Sequence, residues 1–194
     1  MSTARSAVYN LLALPLTPPE PAAWAPICTG EWASALAAAL RGQGAGLNLP
    51  PTLGARPFAV AEMEYHRAFQ PPCLLHPIES VHKPWTTQPD AALPIARQKG
   101  WLGGDAAAHL RSLFAAAGVS IPAGWEPDHL ALELELMGLL LESGANEQAE
   151  LFRAQHLDWL EELAAEARRP EVPAFYCDLV ELIAAWVKAD QATC

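Results

Sequence analysis

Carboxylates and imidazoles gather at the start of one strongly apolar segment. Trp125-Glu126-Pro127-Asp128-His129-Leu130 is followed by Leu132-Glu133-Leu134-Glu135-Leu136-Met137. At about 100° per residue, Leu130, Leu132, Leu134, Leu136, Met137, Leu139, Leu140 and Leu141 fill one wide arc of a helix. His129 and Glu133 fall inside that arc, whereas Glu135 and Glu142 lie opposite it, beside Ala131 and Gly138. A carboxylate on a buried side needs a partner, and His129, one turn earlier, is the nearest candidate for Glu133. Pro127 reads as the first helical residue and Asp128 as a first-turn carboxylate at the positive end of the helix. Two readings follow: a satisfied internal His/Glu pair at a helix start, or Asp128, His129 and Glu133 as the polar floor of a recognition groove.

Other chemistries are poorly served. Asp128, His129 and Glu133 are types that ligate metals, but one helix presents only part of a site and no second cluster supplies the rest. The chain has no H-E-x-x-H and no G-x-x-x-x-G-K-[ST]; Gly42-Gln43-Gly44-Ala45-Gly46 lacks the lysine and reads as a flexible turn. A serine nucleophile elbow is also absent. No residue is assigned a catalytic role, and no metal or cofactor is expected to be bound by the chain itself.

Charge is unevenly distributed. The net charge is −10; residues 1–125 hold 7 acids and 8 Lys/Arg, while 126–194 hold 15 acids and 4 Lys/Arg. That balance disfavours nucleic acid as a partner of the C-terminal third and favours a basic peptide, with an ordinary solvated acidic face as the plain alternative. No uninterrupted apolar run is long enough to span a membrane, and residues 1–16 lack a convincing cleavage site, so export is not expected. Cys28, Cys73, Cys177 and Cys194 are widely spaced and are expected to be free thiols, with no function attached to Cys194.

These groups must be carried by helices, because no alternating strand pattern of useful length occurs. Helical periodicity covers 4–14, 31–41, 56–70, 105–117, 127–142, 147–168 and 174–188. Prolines 15, 18, 19, 21 and 26 mark the first connection, and prolines 50, 51 and 57 the second. His156 lies among Phe152, Trp159, Leu160 and Leu163 and reads as a satisfied core histidine. The pattern predicts an all-α, two-lobed fold in one domain: an N-terminal lobe over about 1–70, a connector or hinge over about 71–103, and a C-terminal lobe over about 104–194. The connector is long for a compact domain. It holds Glu79-Ser80-Val81-His82-Lys83-Pro84-Trp85-Thr86, where Trp85 is either a lid packed between lobes or a ligand contact.

Glu126-Pro127-Asp128-His129-Leu130 with Glu133-Leu134-Glu135-Leu136-Met137 resembles the E-P-D-H-L…E-L-x-F-M signature of the TorD/DmsD/NarJ family, which are cytoplasmic chaperones for molybdoenzymes. Glu64-Tyr65-His66-Arg67-Ala68-Phe69, then His76-Pro77-Ile78-Glu79-Ser80-Val81-His82, is similar to the family's Y-x-x-x-F…P-x-E-S-V stretch. Phe152, His156-Leu157-Asp158-Trp159-Leu160 and Phe175-Tyr176 resemble its F-x-x-x-H-L…W and F-Y pattern. The match runs from about residue 60 to 185; the first 55 residues match loosely, and Leu136 stands where many members carry Phe. The resemblance implies a TorD-like chaperone that catalyses nothing. Its partner would be a molybdoenzyme catalytic subunit, which carries a molybdenum cofactor, gripped in the cytoplasm by its twin-arginine signal peptide. An Arg-Arg pair before an apolar segment asks for carboxylates beside an apolar groove. Asp128 and Glu79 would supply charge, Trp85 and Tyr65 the groove, and His129 would orient Glu133; Ser80 sits within a family-like motif. The alternatives are an assembly factor that binds the enzyme body, and a metal- or nucleotide-dependent hydrolase. Monomer and homodimer both remain open.

Overall fold

The computed structural model describes residues 2–191, with side chains over 4–190. Ten helices carry it: α1 (Ser2–Ala13), α2 (Pro21–Thr29), α3 (Glu31–Gly42), α4 (Phe58–Phe69), α5 (Glu79–His82), α6 (Gly104–Ala116), α7 (Leu130–Glu142), α8 (Asn146–His156), α9 (Leu160–Ala167) and α10 (Ala174–Gln191). Short 3-10 turns at Leu14–Leu16 and Pro51–Leu53 complete the element order. The all-α expectation holds: among the described residues the nearest approach to a strand is one isolated antiparallel bridge between Ile78 and His129.

The organising element is α7. It packs most extensively on α1 and also on α8, and Leu130, Ala131, Leu132, Glu133, Leu134, Leu136, Met137, Gly138 and Leu141 are all buried along it. The wheel expectation that Ala131 and Gly138 share a solvated face with Glu135 and Glu142 is therefore corrected. Glu135 and Glu142 are exposed, but α1 covers the flank next to them. A Cβ at Gly138 would lie 2.2 Å from Asn10 Oδ1, and Asn10 Nδ2 donates to Glu142 Oε1 at 3.0 Å. One contiguous apolar cluster then joins α1, α3, α7 and α10 through Tyr9, Trp32, Leu36, Met137, Phe175 and Trp186.

Three further expectations are corrected. The first proline-rich connection contains α2: Pro21 starts it without losing a needed N–H, and Pro26 is tolerated inside because Trp24 and Ile27 are fully buried. The predicted helix over 147–168 is two helices, α8 and α9, because the Trp159 indole N–H donates to His156 O at 2.8 Å. That carbonyl would otherwise accept from the next helical turn. The helix expected from Pro127 starts instead at Leu130, with His129 as its cap in extended geometry (ψ 132°).

The connector is tied down along its length. Trp85 N–H donates to Gln98 O, Thr86 N–H to Ala96 O, Gly100 N–H to Val81 O and Asp105 N–H to Trp85 O. The Arg97 guanidinium adds bonds to Thr86 O (2.7 Å) and Gln88 O (2.6 Å). At Gly104, φ is +74° and a Cβ would fall 2.0 Å from Trp85 O, so only glycine lets α6 start this close to the connector, which runs here as a strap. Cys28, Cys73 and Cys177 are free thiols; Cys194 lies outside the described residues.

Candidate functional site: a carboxylate cluster at the meeting of two cavities

Where the connector crosses the start of α7, two short segments lock together. Glu79 N–H donates to Asp128 O (2.9 Å) and Leu130 N–H to Pro77 O (2.8 Å). Asp128 Oδ2 accepts the Ser80 N–H at 2.8 Å, and Ser80 Oγ in turn accepts the Gly103 N–H at 3.1 Å. Asp128 is 0% exposed, so its carboxylate fixes α5 from beneath. His82 anchors the other end of α5, stacked on Trp159 with ring centroids 5.0 Å apart.

The predicted Glu133–His129 pair is not formed. His129 Nδ1 accepts the Ala131 N–H at 3.2 Å, closing the first turn as a helix cap, and its ring packs edge-on against Trp125. Burial depresses its pKa to about 4, so the ring is neutral near pH 7. Glu133 turns to Glu79 and Trp159, whose indole N–H donates to Glu133 Oε2 at 3.3 Å. It is fully buried, and one of its oxygens has no donor facing it. Burial first, then the negative charges of Glu79 and Asp128, push its pKa well above the ordinary carboxyl value. The raised pKa favours the protonated form of Glu133 and so eases the clash of buried acids.

Glu79, 1% exposed, leads from this cluster to the surface. His156 Nδ1 donates to Glu79 Oε2 at 2.8 Å, and His156 Nε2 meets His109 Nδ1 at 2.8 Å. Both ring nitrogens of His156 are engaged. His156 is thus the satisfied core histidine expected from its setting, and it also links Glu79 to an exposed ring on α6. Burial and the neighbouring His156 lower the His109 pKa.

Two cavities open on this line. A polar one of about 380 Å³ is lined by Glu79, Lys83, Asp105, His109, Gln155 and His156, among others. An apolar one of about 410 Å³ lies between α6, α7 and α8, walled by Leu113, Leu136, Leu140, Leu151 and Phe152. His109 and Gln155 belong to both walls, so a polar pit and an apolar groove lie side by side.

The structure brings Glu79, Ser80, Asp128, His129 and Glu133 together. Trp85 flanks them on the strap, half-buried, its indole N–H donating to Leu102 O at 3.3 Å. Tyr65 does not join them. It packs among Trp24, Phe69 and Tyr176, where burial raises its pKa to about 12. Lys83, His109 and Trp159 were not foreseen. Lys83 carried a usable signal, four residues after Glu79; His109, on the alanine-rich α6, carried none.

As for metals, Asp128, His129 and Glu133 point to Ser80, Ala131 and Trp159 respectively and do not converge on a point. On α10, Cys177, Asp178 and Glu181 offer ligand atoms within 4.8 Å of one another, but Thr52 donates to Asp178 and Arg168 pairs with Glu181.

This all-helical arrangement is shared with a solved structure. A crystal structure from Archaeoglobus fulgidus, described as a redox enzyme maturation protein, superposes with a TM-score of 0.59 at 17% identity, covering 95% of this chain and 93% of that one. The family described as nitrate reductase delta subunit matches residues 30–176, and the chain belongs to that family. The resemblance to TorD/DmsD/NarJ chaperones read from the Glu126–Met137 and Glu79–His82 blocks holds accordingly. Among curated proteins, no sequence matches.

Proposed function

We propose that this chain is a maturation chaperone, without catalytic activity, for the catalytic subunit of a molybdenum-dependent oxidoreductase. It acts in the cytoplasm and grips the subunit by its twin-arginine signal peptide until the cofactor is in place. The observation that carries this reading is the adjacency of the polar cavity at Glu79 and the apolar groove of Leu113, Leu136, Leu140, Leu151 and Phe152, which share His109 and Gln155. An Arg-Arg pair followed by an apolar segment has the same order of chemistry. Glu79 receives the charge, while Asp128 and Ser80 hold α5 at the cavity wall. His129 and Glu133 complete the layer beneath, Trp85 closes the strap beside it, and Tyr65 packs elsewhere. The acidic C-terminal third draws a basic peptide toward the site.

Calorimetric titration with a synthetic peptide, an Arg-Arg pair followed by a Leu/Ala segment, tests this. Replacing both arginines by alanine should weaken binding by about tenfold or more, ~1.4 kcal/mol. Lysine should fall between, since it keeps charge but loses the bidentate fork. Added salt should also weaken binding. Equal affinity with and without arginines would remove signal-peptide recognition. Maturation of a client lacking its first ~30 residues would then point to the enzyme body.

A further inference from the structure

The cation site in the polar cavity is already filled from within the chain. Lys83 Nζ lies 2.7 Å from Glu79 Oε1, donates to Gln155 O at 2.6 Å and pairs with Asp158. An ammonium has three N–H donors, and each has an acceptor here, drawn from α5, from α8 and from the turn that follows α8. Burial works against the charge, but Glu79 and Asp158 outweigh it and hold the Lys83 pKa above its ordinary value. The site is built for a cation: Glu79 is nearly inaccessible, whereas Asp158 is about half exposed and gives access from the solvent side.

We propose that Lys83 is an internal stand-in for a client arginine, and that a guanidinium enters the polar cavity by displacing the Lys83 ammonium from Glu79, Asp158 and the Gln155 carbonyl. This rests on the signal-peptide reading above. Displacement sets a threshold. An incoming lysine exchanges one ammonium for another and gains little, whereas a guanidinium gains a planar fork on two carboxylates. The resident lysine therefore sets a floor for every incoming cation, which an ammonium barely clears and a guanidinium clears by the strength of its fork.

The test compares Lys83→Met, which keeps the aliphatic stem, with Lys99→Met, which removes the same charge from an exposed pair with Glu162. The probes are the Arg-Arg peptide, its Lys-Lys version and its isosteric, uncharged citrulline version. Lys83→Met should bind the Arg-Arg and the Lys-Lys peptide tighter by a similar factor, about tenfold, because each is spared the same displacement. Lys99→Met should stay within about twofold, the citrulline peptide should gain nothing, and adding Glu79→Gln to Lys83→Met should abolish the gain. In wild-type protein with ¹⁵N-labelled lysines, the Lys83 ammonium signal should shift and exchange faster with water on peptide saturation; this needs no variant to fold. Arginine-dependent binding with no gain in Lys83→Met, or with an unmoved Lys83 signal, overturns the displacement and leaves the signal-peptide reading intact. Failure of wild type and Lys83→Met alike to distinguish arginine from citrulline overturns both.

Discussion

Two buried polar clusters sit in the same helical core and are built on opposite principles. In one, Asp190 accepts Arg5 Nε at 2.7 Å, Arg5 Nη2 at 2.8 Å and the Tyr9 hydroxyl at 2.7 Å: a bidentate pair with a third donor. In the other, Glu79, Glu133 and Asp128 crowd together, and one oxygen each of Glu133 and Asp128 meets no donor. The first joins α1 to α10 and has the chemistry of a fastener. The second keeps an excess of acid next to a cavity, offset by the Lys83 ammonium on Glu79 and by a raised Glu133 pKa. The contrast teaches that burial alone does not mark a working site; an uncompensated charge inventory beside an opening does.

The largest expected effect breaks the fastener. Asp190→Ala takes the bidentate partner from Arg5, which keeps Glu150, and the acceptor from Tyr9, and should cost about 3 kcal/mol in urea unfolding, with peptide binding by the remaining folded protein unchanged. Next comes acid sensitivity from His129. The native ring titrates at about 4 against 6.5 ordinarily, so the unfolded chain binds the proton more readily. Stability present above pH 6.5 is lost as pH falls toward 4, by about 3 kcal/mol. His129→Asn keeps a capping side chain and should remove that loss in a pH series of denaturation midpoints.

Glu133 contributes in the opposite sense. Its native pKa lies above the ordinary 4.5, so its contribution is full below 4.5 and falls as pH rises through the raised value, at up to about 1.4 kcal/mol per pH unit. Between pH 4.5 and 6.5 the two groups oppose each other in the wild type. Glu133→Gln should unmask a steeper rise of stability with pH than the wild type shows; an unchanged slope would mean that the Glu133 pKa is not raised in the folded protein. The smallest effect is expected at Glu135, on the exposed edge of α7, where Glu135→Ala should stay within about 0.5 kcal/mol.

The wheel on residues 127–142 showed that Glu133 is buried, because periodicity reports which side of a helix faces inward. It could not name the partner, because Glu79 and Trp159 arrive from 54 residues before and 26 after, and separation along the chain carries no pairing signal. The same limit hid the covering of Ala131 and Gly138 by α1: small residues beside carboxylates read as solvated until a neighbouring helix is found to need the room. Proline punctuation located the connector but mistook α2 for a linker, since burial of Trp24 and Ile27 overrode the local preference. The break at 157–159 depended on one indole taking one carbonyl. Glu79, Ser80 and Asp128 were legible as a group only through the family-like motifs.

The Tyr9–Asp190 hydrogen bond spans 181 residues, and Asn10 sits in the gap at Gly138. During synthesis α1 is made before its partners, yet its resting place on α7 lies more than a hundred residues further along, and its latch on α10 comes later still. Val8, Leu12 and Leu16, all buried at the end, are without their native cover throughout that interval. Ring closure of this kind is slow and leaves sticky surface in view while it waits, so a protein built to shelter another chain has its own first helix to shelter before it can begin.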